Sequence, residues 1–179
     1  MKRVLLGVSA SAAVHKGADL ASKLTGLGHA VTAVLTPRAA ELVSPQLFEA
    51  LTGRPAFVTE YGPERQNAMD HIELARAAEL VVIAPATADV IGRLAHGLAG
   101  DLLTTLALAI PGDVPRVVCP AMNPHMWDKP AVQRNLALLR EDGWRVLTPA
   151  EGQMACGDAG TGRLPEVPDL LEALAGELS

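Results

Sequence analysis

An α/β fold is predicted: a three-layer sandwich built on a mostly parallel sheet. Three observations predict it. Short apolar runs alternate with amphipathic stretches, the pattern of βαβ units joined by right-handed crossovers. Hydrophobic residues make up 49% of the 179-residue chain, while only 3% are aromatic. The core must therefore be Ala, Leu and Val, which suits helices packed closely on a sheet covered on both faces. Several of the runs also end in loops of Ser, Pro, Thr, Met and Asn. In open α/β sheets such loops, at the carboxyl ends of the strands, are where ligands bind.

The elements follow in order. Arg3–Val8 is a strand, and Ser9-Ala10-Ser11-Ala12 leads into a helix over about 13–27 that Gly28 closes in a left-handed cap. Ala30–Leu35 is the second strand. Thr36-Pro37 opens a helix, since Pro is tolerated in a first turn. Residues 44–68, with Pro45, Pro55 and Pro63, are expected to be less regular. Asp70 with Glu73 forms a capping box for a helix to Ala78. Strand 80–84 is interrupted by Pro85-Ala86-Thr87-Ala88-Asp89, and a helix carrying Ile91, Leu94 and Leu98 follows. Asp101 starts another apolar helix. Strand 116–119 ends at Pro120, which has no N–H to give to a ladder. Pro120-Ala121-Met122-Asn123-Pro124-His125-Met126-Trp127 comes next, and it spends Met, Asn and Trp where loops ordinarily use Gly, Asp and Ser. A helix over about 130–141, a strand over 144–147, a Gly-rich polar stretch over 150–163 and a last helix from Pro168 complete the chain. One domain, 1–179, is expected, with no repeat or linker.

Bulk properties narrow the function. The formal charge is −5, which argues against a general nucleic-acid binder. The apolar runs are far shorter than the roughly 20 residues that span a bilayer, and no cleavage site follows the first strand. A cytoplasmic protein without membrane or nucleic-acid partners is expected. Cys119 and Cys156 have neither CxxC nor zinc spacing, so no metal site and no disulfide are expected.

The loops after Val8, Leu35, Ala84 and Cys119 emerge on one edge of the sheet, and that convergence is stronger evidence for a site than any loop alone. Ser9 and Ser11 lie at a strand-to-helix turn, where hydroxyls and backbone N–H groups can meet a phosphate. The turn lacks both the dinucleotide and the P-loop fingerprint, so a mononucleotide such as FMN fits, and so does an ordinary tight turn. Thr36 is a phosphate ligand or a plain helix cap. Pro85, Thr87, Ala88 and Asp89 lie under a ring system or cap a helix. Thr104 faces a ligand or satisfies the turn before it.

Four segments together resemble the homo-oligomeric flavin-containing cysteine decarboxylases, over about Val4 to Glu166. They are Gly7-Val8-Ser9-Ala10-Ser11 with Lys16; His71-Ile72-Glu73-Leu74 followed by Pro85–Asp89; Pro120-Ala121-Met122-Asn123 with Met126-Trp127; and Ala155-Cys156-Gly157-Asp158-Ala159-Gly160-Thr161-Gly162-Arg163. One departure is Ala10-Ser11, where the phosphopantothenoylcysteine branch often has Gly-Gly.

The resemblance implies bound FMN, a flavodoxin-like (Rossmann-like) sheet and a homo-oligomer, a trimer or a dodecamer built of trimers, with groups from a neighbouring subunit completing each site. It also implies a mechanism. The carbon bearing sulfur gives a hydride to FMN, leaving a thioaldehyde, and loss of CO₂ from the now β-thiocarbonyl acid gives an ene-thiolate. His71 matches the family's active-site histidine, a base for the thiol. Asn123 matches the residue that holds the substrate carboxylate. Met126, Arg76 and Ala155 match substrate-contacting positions, Arg76 toward an anionic part. Cys156, on a flap over about 150–166 made mobile by Gly157, Gly160 and Gly162, matches the cysteine that completes the return reduction. The implied substrate is a small-molecule phosphorylated cysteine conjugate in coenzyme A synthesis, 4'-phosphopantothenoylcysteine going to 4'-phosphopantetheine. The C-terminus of a precursor peptide is the alternative, kept open because the sequence carries no second domain. A non-enzymatic FMN-binding regulatory subunit is a third reading, opposed by His71, Asn123 and Cys156 occurring together.

Overall fold

The computed structural model describes residues 1–60, 70–153 and 157–179, the side chain of residue 70 excepted. Five strands, β1 (Arg3–Val8), β2 (Ala30–Leu35), β3 (Leu80–Ala86), β4 (Arg116–Pro120) and β5 (Arg145–Val146), pair in parallel in the order β2-β1-β3-β4-β5. This is the doubly wound, flavodoxin-like order. The connecting elements are α1 (Val14–Gly26), α2 (Pro37–Ala40), α3 (Pro45–Thr52), α4 (Asp70–Ala77), α5 (Ala88–Ala95), α6 (Leu102–Ala109), α7 (Pro124–Trp127), α8 (Pro130–Glu141) and α9 (Val167–Leu178). A separate antiparallel pair, β6 (Ala150–Gln153) with β7 (Ala159–Arg163), stands apart from the main sheet.

The strands alternate between two cores because successive side chains of a strand point to opposite faces. Val4, Leu6 and Val8 of β1, with Leu80, Val82 and Ala84 of β3, pack with Leu20 and Leu24 of α1, Phe48 of α3 and Leu170 and Leu174 of α9. Leu5, Val81 and Ile83 point the other way, to the cluster holding Ala75 of α4, Ile91 of α5, Leu103 and Leu106 of α6 and Leu136 of α8. Chain leaving β1 thus goes to one face and chain leaving β3 to the other. The crevice between their carboxyl ends is the switch point where doubly wound sheets hold ligands.

Several boundaries differ from the sequence expectation. Residues 45–52, expected to be less regular, form α3: Pro45 sits in its first turn, Ser44 caps it by accepting from Gln46 N at 3.3 Å, and Gly53 ends it in a left-handed conformation. Strand β3 runs through Pro85 to Ala86, and β4 includes Pro120. Both prolines lie at the carboxyl ends, where the register between these strands already shifts after Ile83, so no ladder bond is lost. The last strand is only Arg145–Val146. Trp144 is instead buried in the second core, with the Arg116 guanidinium 5.6 Å from its ring centroid. Helix α5 ends at Ala95, and Leu98 is exposed. The Asp70–Glu73 capping box rests on the Asp70 side chain and lies outside the described residues.

Cys119 sits at 0% exposure on β4. Burial pushes its thiol up to about 12, opposed only weakly by Arg145. The folded state therefore keeps a proton that the unfolded chain releases near the ordinary thiol value. Between about pH 9 and pH 12 the unfolded state binds fewer protons, so stability falls as pH rises. Urea unfolding at stepped pH should show that decline, and Cys119→Ala should lessen it. An unchanged slope in the variant would assign the decline to other groups.

Candidate functional site

A cavity of about 470 Å³ opens at the carboxyl ends of β1, β3 and β4. Binding pockets for small molecules and cofactors commonly fall in this size range. The turn after β1 gives Ala10, Ser11, Ala12 and Ala13, and α1 gives His15 and Lys16. Thr87 and Ala88 come from the β3–α5 turn, Ala121, Met122 and Asn123 from the turn after β4, and Met126 from α7. Gln153, Gly162, Arg163 and Leu164 close one side from the hairpin. Among the candidate residues, the fold thus brings Ser11, Thr87, Ala88, Asn123 and Met126 to one space. Much of the wall is alanine, a low apolar surface that a flat ring can approach.

The other hydroxyls proposed for cofactor contact also make hydrogen bonds within the protein. Ser9 is buried: its Oγ donates to Pro85 O at 2.7 Å and accepts from Thr87 N at 2.9 Å, while its own N–H donates to Pro85 O at 3.2 Å. It fastens the end of β1 to the β3 turn rather than facing the cavity, and Pro85 serves as its acceptor. Thr36 caps α2, accepting from Ala39 N at 3.2 Å. Thr104 is half of a capping box with Asp101: its N–H donates to Asp101 Oδ1 at 2.8 Å and its Oγ1 accepts from Asp101 N at 3.2 Å. Asp89 pairs with Arg93 at 2.9 Å, one turn along α5. None of Ser9, Thr36, Pro85, Asp89 and Thr104 lines the cavity. A hydroxyl at a strand end suits a helix cap as well as a phosphate, which is why sequence left both open.

Asn123 is the best-defined polar group of the site. It caps α7, its Oδ1 accepting from His125 N at 2.8 Å. With the carbonyl held by the helix, the amide nitrogen is the end that faces outward. It donates to Asp158 Oδ2 of the hairpin at 2.5 Å. Met126 stands beside it, nearly half exposed. Trp127, counted with the loop in sequence, packs into the second core instead.

The hairpin is anchored on both sides. Met122 N donates to Gly162 O at 2.9 Å. Gly160 (φ +151°) lies so close to α7 that a Cβ there would come within 3.0 Å of Pro124 Cβ. That glycine allows close packing, where sequence suggested only mobility. Buried Lys16 reaches from α1 to Leu164 O and to Glu166, both at 2.9 Å. Glu166 also meets Arg163. Its hydrogen bond from Lys16, with the nearby positive charges, holds its carboxyl below the usual range. Lys16, Gln153, Arg163 and Asp158 were not singled out as site residues. Lys16, Asp158 and Arg163 stand in segments that carry the family resemblance, but only the fold, which brings the hairpin to the turn after β4, shows what they touch.

Two other expected residues lie elsewhere within the chain. His71 is on α4, in the helical layer opposite α1, with Nδ1 2.6 Å from Glu60 Oε1, a close contact without the alignment of a hydrogen bond. Arg76, in the last turn of the same helix, is exposed. Neither lines the cavity of its own chain. Ala155 and Cys156 lie outside the described residues.

A family model described as Flavoprotein matches residues 1–179. The chain belongs to the Flavoprotein family. Among curated relatives, the coenzyme A biosynthesis bifunctional protein CoaBC of Vibrio vulnificus (strain YJ016) is 44% identical over 170 residues, 95% of this chain and 42% of its own length. This flavoprotein therefore spans about two fifths of the bifunctional relatives it matches. The probable phosphopantothenoylcysteine decarboxylase of Streptococcus mutans serotype c is 36% identical over 177 residues, 99% of each chain. Among solved structures, a PPC decarboxylase mutant complexed with pantothenoylaminoethenethiol superposes with a TM-score of 0.86 at 31% identity, covering 97% and 96% of the two chains. The FMN-dependent cysteine decarboxylase SpaF gives 0.82 at 34%, covering 100% and 98%.

Proposed function

We propose that this flavoprotein is an FMN-dependent carboxy-lyase that decarboxylates a cysteine-derived carboxylate, 4'-phosphopantothenoylcysteine, to 4'-phosphopantetheine. The observation that carries the reading is Asn123: a neutral amide whose carbonyl is spent on a helix cap, so that its N–H donors are turned to a carboxylate at the cavity edge. The curated relatives named above, at 36–44% identity, support the same chemistry.

The residues present fit FMN. The cavity lies at the switch point, Ala10, Ala12, Ala88 and Ala121 leave room for a planar ring, and the Ser11 turn opens α1 beside it. Ser11 Oγ accepts from Ala13 N at 3.2 Å and can still donate its own proton. When bound, FMN supplies the hydride acceptor for the carbon that bears sulfur. Asn123 holds the carboxylate by hydrogen bonds alone, so no salt bridge opposes its departure as CO₂. Met126 packs over the substrate's apolar part. His71 takes the thiol proton, with the Glu60 carboxylate close beside its ring. Because His71 sits outside its own chain's cavity, it serves the cavity of a neighbouring copy, which makes a homo-oligomer, a trimer or an assembly of trimers, part of the reading. Arg76 faces the anionic tail from the same neighbour. Cys156 protonates the ene-thiol in the return reduction.

The test is product mass. With 4'-phosphopantothenoylcysteine, the wild-type protein should release the saturated thiol, lighter than substrate by CO₂ alone. Cys156→Ser should retain flavin and give a species lighter by two further hydrogens. Saturated thiol from the variant would remove the role given to Cys156. A wild-type protein that instead acts only on peptides ending in cysteine would shift the substrate to a precursor peptide. Failure to take up FMN would remove the enzymatic reading altogether. No described helix is long and apolar enough to cross a membrane.

A further inference from the structure

We infer that Asp158 occupies, in the ligand-free protein, the place that the substrate carboxylate takes on Asn123, and so makes the site discriminate between carboxylate substrate and decarboxylated product. The inference rests on the role proposed above for Asn123.

The geometry begins with the amide. Its Oδ1 is fixed by His125 N at 2.8 Å, so rotation of the amide to offer an acceptor would break the cap of α7. Only the nitrogen can meet an incoming group, and it already meets Asp158 Oδ2 at 2.5 Å. The bond is the same charge-assisted N–H to carboxylate bond that a substrate carboxylate forms. Asp158 follows Gly157, which is in a left-handed conformation (φ +91°) just before β7 begins at Ala159. The rest of β7 is held in place independently, by Met122 N to Gly162 O and by the contact of Gly160 with Pro124.

Two carboxylates cannot share this amide side by side without mutual repulsion. The amide nitrogen carries two N–H donors, but a ligand carboxylate on the second stands beside Asp158, so its binding pushes Asp158 aside and the affinity is weakened. A ligand without a carboxylate leaves the Asp158 bond in place. Once CO₂ has left, the amide has lost its anionic partner and Asp158 returns to it. Asp158 is on this view a positioning residue that competes with substrate and helps clear the site after each turnover.

The experiment compares two unreactive probes on the FMN-loaded protein by calorimetry: 4'-phosphopantothenoyl-alanine, which keeps the carboxylate and lacks the thiol, and its decarboxylated counterpart. Asp158→Ala and Asp158→Asn should each bind the alanine probe about tenfold more tightly than wild type. Both should bind the decarboxylated probe within about twofold of wild type, because no ligand group then contends for the amide. Equal shifts for the two probes, or weaker binding of the alanine probe, would overturn the inference; the first marks a structural role, the second a residue that helps hold the ligand. If wild type binds neither probe, the substrate identity fails. The same comparison with N-acetylalanine and N-ethylacetamide, which share only the acyl-cysteine skeleton, then decides the role of Asp158.

Discussion

Asn123→Asp should abolish turnover while leaving the fold and the flavin in place. Asp is as good a helix cap as Asn, so the bond from His125 N at 2.8 Å survives and α7 forms as before. What changes is the other arm. An N–H donor becomes a carboxylate oxygen, facing both Asp158 at 2.5 Å and the carboxylate of any substrate. A bond to an anion is replaced by repulsion from it, and losses of this kind run to about 2–5 kcal/mol. With FMN bound, kcat/KM should fall about a thousandfold, as a loss near 4 kcal/mol implies. Flavin affinity, read from absorbance on titration, should stay within a few-fold. Retention of a tenth of the wild-type rate would mean that Asn123 does not hold the carboxylate. The double variant Asn123→Asp with Asp158→Ala offers a control. It should relieve the strain on the hairpin, seen as recovered Tm, without restoring activity.

The cap that makes this variant readable was not visible in the sequence, although Asn123 was. The convergence of the loops after β1, β3 and β4 followed from the strand–helix alternation. The bounds of β2 and α8 followed from apolar periodicity and the prolines at helix starts. The hairpin did not, because Ala-Glu-Gly-Gln and Ala-Gly-Thr-Gly-Arg contain almost no β-branched or aromatic residues. It forms because glycines at Gly152, Gly160 and Gly162 adopt positive φ values and because β7 docks on α7. The resemblance placed a flap over about 150–166 at the site, but the pairing of Asp158 with a residue 35 positions away exists only once the chain is folded. Helix α3 was missed for the opposite reason. Pro45 belongs to a stretch whose three prolines suggest less regular structure, yet in the first turn of a helix its missing N–H costs nothing. The hydroxyls of Ser9, Thr36 and Thr104 show the limit most plainly. Each lies at a strand end or a helix start, where a phosphate ligand and a helix cap look alike, and each makes hydrogen bonds within the protein.

Gly17→Leu should cost about 3 kcal/mol or more and loosen flavin binding with it. Gly17 lies in the buried stripe of α1, where the helix crosses the end of β3. A Cβ at that position would stand 2.8 Å from Ala84 O and 3.3 Å from Pro85 Cδ. The first of these is a backbone oxygen and cannot turn aside, so α1 must move. Its first turn carries His15 and Lys16 on the cavity wall, and the end of β3 leads to Thr87 and Ala88 on the facing wall. Forcing the helix away from the strand therefore widens the space the flavin fills. Leu is among the better helix formers, so propensity cannot explain a loss. Gly26, in the same helix, has nothing within 4 Å of its would-be Cβ. Gly26→Ala should accordingly be neutral or stabilise by about 0.5–1 kcal/mol. Urea unfolding of the two variants, each with and without FMN, separates the effects. A Gly17→Leu protein as stable as wild type would show that α1 and β3 are not in contact there. One that is destabilised yet binds flavin normally would show that the helix yields without moving the cavity wall.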